Sequence, residues 1–64
     1  MRLNTSPNIA DPDGFYQELI DSQRDLEEAQ AALMNARLVL LLANHVGDRE
    51  ALSEAIKLAR PVLR

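Results

Sequence analysis

The feature that most constrains this chain is the run Leu-Val-Leu-Leu-Leu-Ala at residues 38–43. It is far shorter than the roughly 18 apolar residues a membrane-spanning helix requires. It follows Ala29, Ala31, Ala32, Leu33, Met34 and Ala36, which are good helix formers. A helix continuing through it turns about 100° per residue, so Leu38, Val39, Leu40, Leu41 and Leu42 point in every direction around the axis. A helix that is apolar all round has to be covered all round. Whatever else folds from this sequence must supply that cover, within the chain or from outside it.

The flanking sequence offers two short helices. Asp11-Pro12 is a helix start: the carboxylate can accept from orphan N–H groups of the first turn, and proline is tolerated at the first helical position. Phe15, Tyr16, Leu19 and Ile20 then make one apolar stripe over about 12–23, with Tyr16 expected at the edge of the core. Gly14 weakens this helix by roughly 1 kcal/mol relative to Ala. Asp25 and Glu28 have the spacing of a capping box, which sets a second helix over about 26–46, closed by Gly47 as its left-handed terminal residue. A single bent helix through both segments would leave its apolar patches nothing of the same chain to bury against. Asp48 caps a third helix over about 49–60, with Ala51, Leu52, Ala55, Ile56 and Ala59 as its stripe and Pro61 as its stop. The expectation is an all-α chain of three helices, with a flexible tail over 1–10 and one small domain over 11–64.

Neither outer helix can cover the whole belt, because each is short and has one apolar stripe. Part of the belt therefore stays exposed in a monomer, and a contiguous exposed apolar patch marks an interface. The candidate interface residues are Asn35, Arg37, Leu38, Leu41, Leu42, Asn44 and His45. Arg37 and Asn44 are seven apart on nearly one face with Leu41 between them, while Asn35, Leu38, Leu42 and His45 form a neighbouring line. A guanidinium can make paired hydrogen bonds to a partner's carboxylate, and Asn on an apolar face often fixes register. The competing reading is local: His45 serves the helix C-terminus, and Arg37 is solvated or ion-paired within the chain.

Composition narrows the function classes. Sixty-four residues make one domain, and a chain of this size buries only about 60% of its unfolded surface. There is no cysteine, hence no disulfide staple, thiolate site or Cys nucleophile. No secretory signal is legible at the N-terminus, and a reduced, soluble, cytoplasmic protein with no membrane association is expected. Residues 11–28 hold seven acids and one base, a sum of −6, whereas residues 29–64 hold five bases and three acids, a sum of +2. An acidic first helix argues against nucleic acid, whose phosphates demand a basic footprint.

No catalytic or metal constellation is evident. His45 is the sole histidine, with Asp48 and Glu50 nearby, and its spacing matches no metal motif. Thr5, Ser6, Ser22 and Ser53 lie in no nucleophile elbow, and both glycines sit at helix ends rather than in a phosphate loop. No cofactor, no metal and no independent catalysis are expected.

The segment NARLVLLLANHVGD, with DPDGFYQELIDSQRDL before it and REALSEAIKLAR after it, resembles a family of very short bacterial helical proteins described only as a domain of unknown function. The resemblance spans about residues 11–60, and residues 35–45 are its most specific part. One departure is Glu27, where the family has a Ser-type cap just after the leucine equivalent to Leu26. The resemblance implies small helical companions in the genomic neighbourhood of flavin-dependent aromatic hydroxylases and other degradative oxidoreductases, with no catalytic residue or cofactor site of their own. The expected function is a non-catalytic accessory subunit that docks through its central helix onto a larger oxidoreductase. The alternative is a self-contained homo-oligomer of structural or regulatory role, in which Leu38 and Leu41 meet their own copies across a two-fold axis.

Overall fold

The computed structural model describes residues 2–62. Residues 63 and 64, within the domain expected over 11–64, and residue 1 of the expected tail lie outside the described residues. The described chain is all-α, with three helices: α1 (Pro12–Ser22), α2 (Glu28–Val46) and α3 (Arg49–Ala59). Residues 2–10 are irregular and almost wholly exposed, with one local bond from the Ser6 N–H to Asn4 Oδ1 at 3.0 Å.

α1 begins as its sequence dictates. Asp11 Oδ1 accepts from the Gly14 N–H at 3.1 Å, and Pro12 occupies the first turn. A Cβ added at Gly14 would collide with that capping carboxylate. The glycine therefore has a local purpose that offsets its poor helix propensity.

The break between α1 and α2 differs from the sequence expectation. Asp25 caps nothing, because the chain first closes a tight turn in which the N–H groups of Gln23, Arg24 and Leu26 donate to the carbonyls of Ile20, Asp21 and Gln23. The first extended residue after that turn is Glu27 (φ −73°, ψ 163°), and it is the N-cap of α2. Its N–H donates to Gln30 Oε1 at 3.0 Å, the capping-box logic displaced by two residues.

Gly47 and Asp48 make the second break. Gly47 stands at φ 69°, the left-handed conformation in which an L side chain is disfavoured, and its N–H closes onto the Ala43 carbonyl at 2.9 Å. Asp48 Oδ1 then accepts from the Ala51 N–H at 3.0 Å. This bond holds the Asp48 carboxyl below its ordinary value of 3.8.

The helices bury little against one another. Within α1 and α2 no residue is buried, and Ala51 of α3, 3% exposed, is the buried hydrophobe among the described residues. Of the α1 stripe only Leu19 is half-buried; Phe15, Ile20 and Tyr16 are exposed, so Tyr16 is no core-edge residue. The radius of gyration is 13.6 Å, against roughly 11 Å for a compact chain of this length. The accessible surface is 6108 Å², whereas a compact monomer of this mass exposes roughly 4,100 Å². The tail adds to both figures, but it does not account for two helices without a buried residue.

Two outcomes follow from the α2–α3 junction. Gly47→Ala meets open space, with the Asn44 carbonyl 3.8 Å away, so its cost is conformational. It should destabilise the helical state by roughly 1–2 kcal/mol in urea unfolding. Asp48 has a depressed folded pKa, so its contribution is present above the unfolded value and is lost as pH falls through the folded one. Titration below about pH 4, followed by residue-resolved NMR, should unwind the first turn of α3 before α2 loses helicity.

Candidate interface on the central helix

α2 carries apolar residues on three sides. The first line, Ala31, Met34 and Leu38, is half-buried and runs toward the end of α1. There the Ser22 hydroxyl lies 3.9 Å from the Met34 sulfur, and Gln23 Nε2 donates to Asn35 Oδ1 at 2.7 Å. Asn35 is thus engaged within the chain, as a strut between α1 and α2.

A second line, Gln30, Leu33, Arg37 and Leu41, recurs at i, i+3, i+7 and i+11. With Leu26 from the turn and the edges of Met34 and Leu38 it forms an open shelf of about 410 Å³. Leu41 is 69% exposed. Arg37 is exposed and makes no hydrogen bond or ion pair among the described residues. Asn44 continues this line toward the helix end and is exposed.

The third line, Val39, Leu42, Ala43 and Val46, recurs at i, i+3, i+4 and i+7 on the opposite side of α2. Together with Leu40 it faces α3 across a groove of about 540 Å³, completed by Arg49, Leu52, Ala55, Ile56 and Ala59. Ala43, Leu52 and Ala55 are half-buried and the other lining residues are exposed. Arg49 is the only polar residue of the ten, and its guanidinium donates to the Ser53 hydroxyl one turn along.

The seven interface candidates therefore fall on separate surfaces. Arg37, Leu38 and Leu41 are brought together on the shelf, and Leu42 belongs to the groove. Asn35 is tied to Gln23, while Asn44 and His45 are exposed at the C-terminal end of α2 and line neither hollow. Leu26, Gln30 and Leu33 on the shelf and Val46 and Ile56 in the groove are not among the seven candidates, and Val39 and Leu40 enter the sequence reading only as part of the apolar belt. Their signal was available in the two helical repeats, which the single apolar run had blurred together.

Charge and chemistry are sparse here. Asp21 accepts from Gln17 at 3.0 Å and from Arg24 at 2.7 Å, an exposed i, i+3 pair that contributes little stability. Among the described residues no three metal-ligating side chains cluster, and no helix is long and apolar enough to cross a membrane. Ser22 donates to the Leu19 carbonyl and Ser53 accepts from Arg49, each a local bond rather than part of a nucleophile–base pair.

The family described as "Protein of unknown function (DUF2783)" matches residues 3–61 of this sequence, nearly its whole length. The chain belongs to that family. No curated protein and no solved structure matches it. The DUF2783 match takes in the irregular segment from residue 3 onward along with all three helices.

Proposed function

We propose that this DUF2783 protein is a small non-catalytic accessory subunit of the cytoplasm that docks through the shelf side of α2 onto a larger protein. The observation that carries the reading is the combination of an exposed apolar shelf with an unpartnered guanidinium inside it. Leu33 and Leu41 are more than half exposed, and Arg37 stands between them on the helix without a bond among the described residues. Arginine beside exposed leucine suits an interface: the aliphatic stem packs with the leucines, and the planar head can fork onto a carboxylate. Isolated surface leucines are ordinary, but a contiguous stripe of them on one helix face marks a binding surface. Asn44, in line with Arg37 and Leu41, would supply a further polar contact at the rim, with His45 beside it.

The larger partner we propose is a flavin-dependent oxidoreductase of the aromatic hydroxylase type. This choice rests on the genomic neighbourhood associated with the resemblance and on no residue of the chain. In such a complex the subunit would stabilise the enzyme or complete its substrate channel, and the flavin and the chemistry would belong to the partner. A self-contained homo-oligomer is the second reading, favoured by the separate apolar groove on the other side of α2.

Co-purification from the native cell tests the docking surface. Arg37→Ala should reduce recovery of the larger protein several-fold, and Leu41→Asp should reduce it to background, with helical circular dichroism retained in both. Each residue is exposed, so neither substitution disturbs a packed side chain. Unchanged recovery with both variants would refute the reading.

A further inference from the structure

The shelf leaves the groove between α2 and α3 without an occupant. We infer that a second copy of this chain fills it, groove against groove across a two-fold axis, so that two α2–α3 pairs close into a four-helix dimer. The inference rests on the reading of α2 as an interaction helix and gives its two sides different occupants: a second copy in the groove, the larger protein on the shelf.

Area is the first argument. The chain exposes roughly 2,000 Å² more than a compact monomer of its mass. A stable interface covers about 800 Å² on each partner. The groove supplies suitable surface, since Leu40 is 71% exposed and Val39 and Ile56 are each 63% exposed. One self-contact of ordinary size is affordable within that excess, and it leaves the shelf free.

Charge is the second. The segment that builds the groove, residues 39–59, holds three acids (Asp48, Glu50, Glu54) and two bases (Arg49, Lys57) and so sums to −1. The acidic stretch over residues 11–28, which sums to −6, lies outside it. Two copies that meet at the groove set −1 against −1, far less repulsion than a contact through the acidic half would bring. The single polar liner, Arg49, already donates within its own helix.

Shape is the third. Ala43 and Ala55 are the small, half-buried liners, whereas Leu40 and Ile56 stand out from the surface. A surface with both recesses and projections can mate with its own copy, as an isologous contact requires. Pairing α2 and α3 with their counterparts gives the antiparallel helix packing of a four-helix bundle. This contact differs from one through Leu38 and Leu41. Leu38 shares the half-buried line of Met34, and Leu41 lies on the far side of α2.

Light scattering on the full chain over a concentration series tests the dimer. The expected mass is twice the 7.1 kDa of one chain. Leu40→Asp and Ile56→Asp should bring it down to the single-chain value, whereas Leu41→Asp should leave it doubled. A second measurement needs no substitution: in a mixture of isotope-labelled and unlabelled wild-type chains, filtered NMR should show intermolecular methyl contacts from Val39, Leu42 and Ile56. A wild-type mass other than twice the single chain, whether or not the chain is folded, overturns the inference. So do intermolecular contacts that come from Leu33 and Leu41 instead of the groove. A monomer that still co-purifies with its larger partner would overturn the dimer and leave the docking surface standing. A dimer that loses no partner on Arg37→Ala and Leu41→Asp would do the reverse.

Discussion

The structure depends on a shortage of cover for one helix. α2 presents apolar residues on three sides, and the chain has two other helices of 11 residues each to set against them. Helices of that length are marginal in water by themselves and persist through packing. Here the packing is sparse: the end of α1 reaches Met34 and Asn35, and α3 buries Ala51. Ordering a residue costs roughly 1.5 kcal/mol, and each buried methylene-sized group returns only about 0.8 kcal/mol. On the function proposed above, the missing burial comes from another polypeptide, and that requirement links the fold to the function.

The two breaks in the helical chain decide where the missing burial is to be found. The Gly47–Asp48 junction ends α2 with one left-handed residue and starts α3 with a capped turn, and an open groove lies between the two helices. The turn before Glu27 places Leu26 beside the first turns of α2, where it extends the shelf instead of packing under α1. The two hollows thus lie on opposite sides of α2. On the readings proposed above, two such faces hold a copy of the chain and a different protein together; the groove segment is close to neutral, and the acidity resides in and around α1.

Much of the architecture was legible in the residues because its signals are local. Asp11-Pro12, Gly47-Asp48 and Pro61 each act within one turn of backbone, and the helices end within a residue or two of where those signals put them. The start of α2 was misplaced because Asp25 has the right chemistry for a cap but is used up inside a tight turn, whereas Glu27 and Gln30 carry the same spacing two residues on. The proposed interface is legible in the sequence only as a need for cover. Periodicity shows that residues 38–43 point in all directions, but which neighbour covers which sector is a tertiary fact. Asn35 illustrates the difference: its polar group on the helix resembled a contact reserved for a partner, and it is engaged by Gln23, a residue 12 positions earlier.

The central claim is that this chain completes its burial by association. The most direct measurement is the thermal unfolding midpoint of the isolated full chain, followed by circular dichroism over a hundredfold range of protein concentration. Association that buries α2 stabilises the folded state by mass action, so the midpoint should rise steadily with concentration. A steep, cooperative transition at the same temperature throughout the range would show that one chain covers its own central helix, and would contradict the claim.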